Sequence, residues 1–325
     1  PTNRRSPCSQ APTASAPSDG SSPRHPCVRP ASSPSSTAIA RAPPSGPWPS
    51  PGACGKWRRW PISRDAIASP SDGHRAVDDE ALLRYARQIM LPQLDVAGQE
   101  RLLAGRVLIV GLGGLGSPVA LYLAAAGVGC LELADGDRVE ASNLQRQILH
   151  GEADRGRPKV ASARDRLAAL DPRVRVEVRG ERLADDALAA AVAAADLVVD
   201  ATDDVATRYA LNRSCLRYRR PLVSAAAIRF EAQLSTFDPR RADSPCYRCL
   251  WPDAGELDAA CAENGVIAPL VGVVGSLQAL EVVRLLAGIG ETLVGRVLVY
   301  DGLAGRFDEF RLRRRSDCPD CGIDR

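Results

Sequence analysis

From residue 78 onward, apolar positions follow first a helical and then a strand-like period, in repeated alternation. "DDEALLRYARQIML" (78–91) places apolar residues at helical spacing behind Asp78, Asp79 and Glu80, an acidic start that suits a helix N-terminus. Short apolar runs predict strands at "RVLIVG" (106–111) and "CLELAD" (130–135), with a helix "SPVALYLAAAGV" (117–128) between them. Pro118 falls just inside that helix, where a missing N–H is harmless. A polar loop over 138–157 leads to a helix "PKVASARDRLAAL", a strand "RVEVRGERL", a helix "DDALAAAVAAA" and a buried strand "DLVVDATD" (196–203). The helix "ATRYALNRSCLRY" then precedes the strand "PLVSAAAI", and "EAQLSTFDP" alternates strictly, as an antiparallel extension would. Strands alternating with helices predict an α/β fold: a Rossmann-like, mostly parallel sheet with helices on both faces. No internal repeat of 20–50 residues interrupts it.

The first 75 residues break this pattern. They hold 15 of the 25 prolines, are rich in Ser, Ala and Arg, and show almost no aliphatic periodicity. Such a segment buries too little apolar surface to offset its chain entropy, so a disordered tail is expected over 1–75 and a folded domain over 76–325. Its acid-poor composition superficially matches an organellar transit peptide, but no Met opens it and Arg59–Trp60–Pro61 interrupts any amphipathic helix. A dispensable tail is the favoured reading, with targeting or a partner-binding arm as the alternative.

Charge is divided the same way. The chain carries +3 overall, with ten Lys/Arg against three Asp/Glu before residue 76 and 32 against 36 after it. A mildly acidic body lacks the basic face of a nucleic-acid binder. No secretory apolar segment is present. The most membrane-like stretch, residues 266–290, carries Gln278, Glu281, Arg284 and Pro269, which favours a buried helix over a membrane span.

Candidate chemistry starts at "VLIVGLGGLGS". Gly111, Gly113 and Gly116 match G-x-G-x-x-G between a predicted strand and helix, where glycines permit a tight turn and let backbone N–H groups approach phosphates. The helix N-terminus adds positive potential. Asp135 closes the second strand, placed to bind ribose hydroxyls. The turn points to a nucleotide without choosing between NAD and ATP. Downstream, Arg146, Arg155, Arg157 and Lys159 fall within 14 residues, beside Asn143 and Gln145. Two phosphates of a dinucleotide need little beyond the turn, whereas cleaving a triphosphate requires cations against charge developing on pyrophosphate. Arg146 and Lys159 are the candidates for that role; Arg155 and Arg157 read as solvated surface. Asp203 lies at the C-terminal end of "DLVVDATD", the sheet edge where ligands bind, and could hold Mg²⁺. Asp200 or Asp204 could instead cap the next helix.

Of ten cysteines, four form C-x-x-C pairs, Cys246/Cys249 and Cys318/Cys321. Two such pairs read as a structural Zn²⁺ site that ties the C-terminus onto the body, with a pair of disulfides as the alternative. Cys130 and Cys215 read as small core residues; Cys8, Cys27 and Cys54 lie in the tail.

"RYARQ" (84–88), "GLGGLGS", "SNLQRQ", "GRPKVASA", "DATD" and "CYRC…CPDC" occur in this order in the MoeB/ThiF family, the bacterial relatives of ubiquitin-activating enzymes. The chain resembles that family over about residues 78–322, most closely its molybdopterin-synthase adenylyltransferase branch. The resemblance implies a cytoplasmic homodimer that uses Mg-ATP to adenylate the C-terminal glycine of a small β-grasp sulfur carrier ending in Gly-Gly, releasing pyrophosphate for molybdenum cofactor biosynthesis. It implies that Gly114 lies against the phosphates and Asp135 on the ribose. Ser142, Asn143, Leu144, Gln145, Arg146 and Lys159 would contact ATP. Asp203 would position Mg²⁺, Asp204 would sit beside the nucleotide, and Arg87 would reach into the partner subunit's site. Cys261 stands where thiolate-using members carry a catalytic cysteine, although a thiol without a duty fits equally. The rhodanese domain of some members has no counterpart here, so a separate sulfur donor is expected. A thiamine-pathway carrier is the rival substrate within the family. An NAD-dependent dehydrogenase or an inactive scaffold are rivals outside it.

Overall fold

A computed structural model describes residues 77–252 and 265–322. The expectations for the tail and for Cys261 lie outside the described residues. Five parallel strands form the centre of one sheet: β1 (Arg106–Val110), β2 (Cys130–Ala134), β3 (Arg175–Arg179), β4 (Leu197–Asp200) and β5 (Leu222–Ile228). β6 (Glu231–Phe237), β7 (Arg296–Asp301) and β8 (Arg306–Arg311) continue it antiparallel, in the order β3-β2-β1-β4-β5-β6-β7-β8. The α/β class, the parallel centre and the antiparallel extension are therefore as expected. β3 ends at Arg179, short of the run to residue 183 that the apolar pattern suggested.

The helices are α1 (Asp79–Ile89), α2 (Asp95–Ala104), α3 (Gly116–Ala125), α4 (Lys159–Leu170), α5 (Asp185–Ala194), α6 (Val205–Tyr218), the short α7 (Tyr247–Leu250) and α8 (Ala268–Ala287). Alternation along the central strands sends side chains to opposite faces. Val107, Ile109, Leu197 and Val199 join one core with α2, α3, α4 and α8. Leu108, Val110 and Val198 join a second core with α5 and α6. Both faces of β1 and β4 are thus covered, which explains their unbroken apolar runs.

α8 is long and apolar enough to cross a membrane, yet it packs against α2, α3, β5 and β6 in the first core. Its approach to α3 is close: a β-carbon at Gly275 would lie 2.4 Å from Pro118 Cγ. Gln278, fully buried on this helix, donates through Nε2 to the carbonyls of Asp200 (2.7 Å) and Val223 (3.0 Å) at the ends of two strands. Helix and sheet are registered by that amide.

α1 is held by the residues that flank Arg87. The Tyr85 hydroxyl donates to the buried carboxylate of Asp171 at 2.7 Å, and Arg84 Nε lies 2.7 Å from the same group. Gln88 donates to Gln99 Oε1 at 2.9 Å. Burial pushes the Tyr85 pKa up, and its hydrogen bond to Asp171 raises it further, so the phenol stays a donor at any ordinary pH. Arg87 is left exposed. Tyr85→Phe removes the donor and leaves a buried carboxylate short of one hydrogen bond, so we expect a loss of about 1–3 kcal/mol in urea unfolding.

Candidate functional site

The strand order reverses direction between β1 and β4, and a cavity of about 470 Å³ opens there, at the C-terminal ends of the strands. The glycine turn forms one wall. Gly111 has φ +92°, and a β-carbon there would lie 2.6 Å from the carbonyl oxygen of Ala201, beyond β4. A β-carbon at Gly116 would lie 1.9 Å from the Gly111 carbonyl oxygen. These two glycines bring the turn and the start of α3 together; Gly113 is the one whose α-carbon faces open space, with Gln147 Nε2 nearest at 3.7 Å. Gly114 lines the cavity, and its missing side chain makes room for Val271 of α8 at 3.0 Å.

Asp135 secures the turn. Its Oδ2 accepts from the Leu112 N–H at 2.7 Å and its Oδ1 from the Asp137 N–H at 2.8 Å. The Lys159 ammonium enters from α4 with its side chain only 6% exposed, 2.8 Å from Asp137 Oδ2 and 3.8 Å from Asp135 Oδ2. A buried ammonium is tolerable only with such partners. His150 lies behind it, its Nδ1 2.9 Å from Ser162 Oγ. Burial, aided by the Lys159 charge, lowers its pKa, so the ring is neutral near pH 7.

Gln145 and Arg146 line the cavity from the loop after β2, where Arg146 donates to the Ser142 carbonyl at 3.1 Å. Asn143 serves the loop itself, accepting from the Glu140 N–H at 3.1 Å, and Ser142 Oγ donates to Glu140 at 3.2 Å. Ser142, Asn143 and Leu144 do not line the cavity of the single chain. Nor does Gly116, at the base of α3, or Arg87.

Across the cavity, β4 ends at Asp200, which is fully buried and satisfied by Thr202 (N–H at 3.1 Å, hydroxyl at 2.7 Å) and the Ser224 hydroxyl (2.6 Å). Asp203 is exposed on the cavity wall, with no hydrogen bond or ion pair among the described residues. Asp204 is the N-cap of α6. It accepts from the Thr207 N–H at 2.8 Å and pairs with Arg182. Burial works to raise its pKa, but the hydrogen bonds from Thr207 and Arg182 hold the carboxyl below its usual range. Arg208 and Arg182 also line the cavity; neither stood out in the sequence.

The two C-x-x-C pairs meet. The four sulfurs all lie within 4.8 Å of one another, with Cys246–Cys249 at 3.9 Å, Cys246–Cys318 at 3.6 Å and Cys249–Cys321 at 3.4 Å. A Zn–S bond of about 2.3 Å in a tetrahedron sets S–S edges of about 3.8 Å, so the donor set fits zinc. Asn212, buried in α6, accepts from the Tyr247 N–H at 2.9 Å and donates to Asp320 at 2.8 Å, holding both halves of the clasp. Cys130 and Cys215 are buried in the core, as their sequence context suggested.

A glycine turn at the switch point of a doubly wound sheet, with cations and a free carboxylate around one cavity, defines a nucleotide-binding α/β protein with a cysteine-clasped C-terminus. Residues 85–320 match the ThiF family, and the chain belongs to it. It is 49% identical over 246 residues to the molybdopterin-synthase adenylyltransferase of Escherichia coli (strain K12), covering 76% of this chain and 98% of that one. It is 48% identical over 246 residues to the sulfur carrier protein ThiS adenylyltransferase of the same strain, covering 76% and 97%. Among solved structures, E. coli MccB with MccA-N7isoASN shares the fold at a TM-score of 0.63, with 24% identity over 70% of each chain.

The depressed carboxyl of Asp204 stabilises the fold above the unfolded-state pKa, and that contribution fades as pH falls through the lower folded value. Asp204→Ala should therefore cost about 1 kcal/mol of unfolding free energy at pH 7, as lost N-caps do. The difference from wild type should shrink below about pH 4, as followed by denaturant melts across that range.

Proposed function

We propose that this chain is an ATP-dependent adenylyltransferase acting on the C-terminal glycine carboxylate of a small β-grasp sulfur carrier that ends in Gly-Gly. The observation that carries this reading is the convergence of Gly113, Asp135, Arg146, Lys159 and Asp203 on one cavity in a ThiF-family chain. An NAD site would have no use for that cation and acid set. The carrier we assign is the small subunit of molybdopterin synthase, the substrate class named for one group of relatives. The 48% identity to the ThiS adenylyltransferase keeps a thiamine-pathway carrier as the second reading.

The carboxylate oxygen attacks the α-phosphorus, the bond to the β-phosphate breaks, and pyrophosphate departs. The nucleophile is already ionised, so no general base is required; alignment and charge neutralisation do the work. Gly113 and its neighbours offer backbone N–H groups to the phosphates, and Asp135 faces the ribose. Arg146 and Lys159 meet the negative charge that grows on the leaving group. Lys159 is held by Asp135 and Asp137 until then. The cavity lining carries five carboxylates, Asp135, Asp137, Glu181, Asp203 and Asp204, against four cations, Arg146, Lys159, Arg182 and Arg208. A polyanion needs further positive charge to enter it. Mg²⁺ carried with ATP would supply that charge, and Asp203 is the carboxylate that would hold it.

Arg87 is assigned to the partner subunit's cavity in a homodimer. It projects from α1 beside exposed Leu83, four positions earlier on the same helix face, and exposed Met90, the C-cap residue three positions later. We assign residues 76–325 to the catalytic domain and the cytoplasm as its location. None of the six described cysteines forms a disulfide, which suits that reducing compartment and leaves the four clasp sulfurs to bind zinc.

Arg146→Ala and Asp203→Ala should each lower ATP–pyrophosphate exchange about 100-fold or more while leaving the thermal melt unchanged. The exchange is run with each purified carrier ending in Gly-Gly; near-normal rates in either variant would sink the assignment. Elemental analysis should find about one zinc per chain, reduced by Cys318→Ser, and chelation should lower the melting temperature before it changes the rate per folded enzyme.

A further inference from the structure

The turn that presents Asp203 is tied down by one buried arginine. Arg208, one turn into α6, is 7% exposed. Its guanidinium donates to the carbonyl of Thr202 and, at 3.1 Å, to that of Ala225 in β5. Its Nε lies 3.9 Å from Asp200 Oδ2. The hydroxyl of Tyr247, next to Cys246 of the clasp, meets the same guanidinium; burial raises that phenol's pKa and the Arg208 charge opposes the rise. One planar group therefore joins the turn after β4, the strand β5 and the cysteine clasp.

Thr202 is fixed at every polar atom. Its N–H and hydroxyl donate to Asp200, and its carbonyl accepts from Arg208. The next residue is Asp203. With Thr202 pinned on both sides of its α-carbon, the direction in which Asp203 leaves the turn is set by these three bonds. The donors of Arg208 that face the turn are engaged by main-chain carbonyls, so its contribution is to hold backbone.

We infer that Arg208 is a positioning residue that sets the Asp203 carboxylate at the height where it can hold the divalent cation of the bound nucleotide. The inference rests on the adenylyltransferase reading. Both carbonyls are bound by one nitrogen, Nη2, while Nε faces Asp200; lysine preserves the charge, but its single nitrogen on a flexible stem lacks the rigid plane that serves the two carbonyls and Asp200 together. Arg208→Lys therefore separates charge from positioning.

The test is a double-mutant cycle on magnesium–ATP binding, read by calorimetry in wild type, Arg208→Lys, Asp203→Asn and the double variant. Arg208→Lys should raise the Mg²⁺ concentration needed for half-maximal ATP binding about 10-fold, the scale of one lost charged hydrogen bond. In the Asp203→Asn background the same change should add almost nothing, because the residue it positions is already disabled. Additive losses, or an unchanged Mg²⁺ requirement in an Arg208→Lys protein that melts like wild type, would overturn the inference. If Arg208→Lys fails to fold, Tyr247→Phe loosens the guanidinium from the opposite side. A smaller rise in the Mg²⁺ requirement is expected there, and no rise overturns the inference. Wild-type exchange is measured alongside: its absence with every carrier defeats the adenylyltransferase reading, whereas its presence beside an unaffected arginine variant defeats only this inference.

Discussion

The close approach of backbone to backbone at the head of β1 governs everything around the cavity. A side chain at Gly116 would strike the Gly111 carbonyl, and one at Gly111 would strike the Ala201 carbonyl across the switch point. Three segments that bear the site, the glycine turn, the start of α3 and the turn after β4, are in contact only because both positions are bare. Asp135 then spends both carboxylate oxygens on main-chain N–H groups of the first turn and of the loop that follows β2. The cavity therefore has its shape before any ligand arrives, which is the condition under which fixed dipoles and charges act without reorganising.

The same economy of buried polar groups appears beneath the floor. Asp200, Gln278, Arg208 and Asn212 are all buried; Gln278 and Arg208 each bond main-chain carbonyls of two segments, while Asp200 and Asn212 each bond a main-chain N–H and a side chain from another segment. Removing one partner from such a set costs more than the bond is worth when intact, because the survivor is left unpaired. The α8 helix belongs to this arrangement. Its apolar length satisfies the core on one side, while Gln278 binds the ends of β4 and β5 on the other.

Much of this was legible in the residues. The parallel strands declare themselves because covering both faces demands continuous apolar runs, and the glycine turn and both cysteine pairs are local in sequence. What was missed has physical causes. β8 sets Phe307 and Phe310 three positions apart among charged residues, one on each face and both exposed, so no two-residue period marks it. α2 starts without a side-chain cap and contains Gly98, which packs against Leu94 of its own first turn. Arg208 and Asn212 sit on a helix whose polar residues look like a solvated face, and only tertiary packing turns them inward. Asp204 was ambiguous for a deeper reason: a helix cap and a nucleotide contact both call for an acid at the first residue after a strand-end turn. The structure shows it bonded as the cap.

Bonding separates the duties of the two neighbouring acids. Asp204 accepts from the first turn of α6 and pairs with Arg182, so its charge is committed to the fold. Asp203, one residue earlier, faces the cavity with its charge uncommitted among the described residues. Both acids line the cavity, but Asp204 is engaged by Thr207 and Arg182, while Asp203 is left for the ligand proposed above. With Lys159 already neutralised by Asp135 and Asp137, and Asp204 by Arg182, Asp203 and Glu181 are the cavity carboxylates without an ion pair among the described residues. In the function proposed above, a cation carried in with the nucleotide would neutralise Asp203, and the phosphates would in turn neutralise the cation. Substrate and metal therefore have physical reason to enter together.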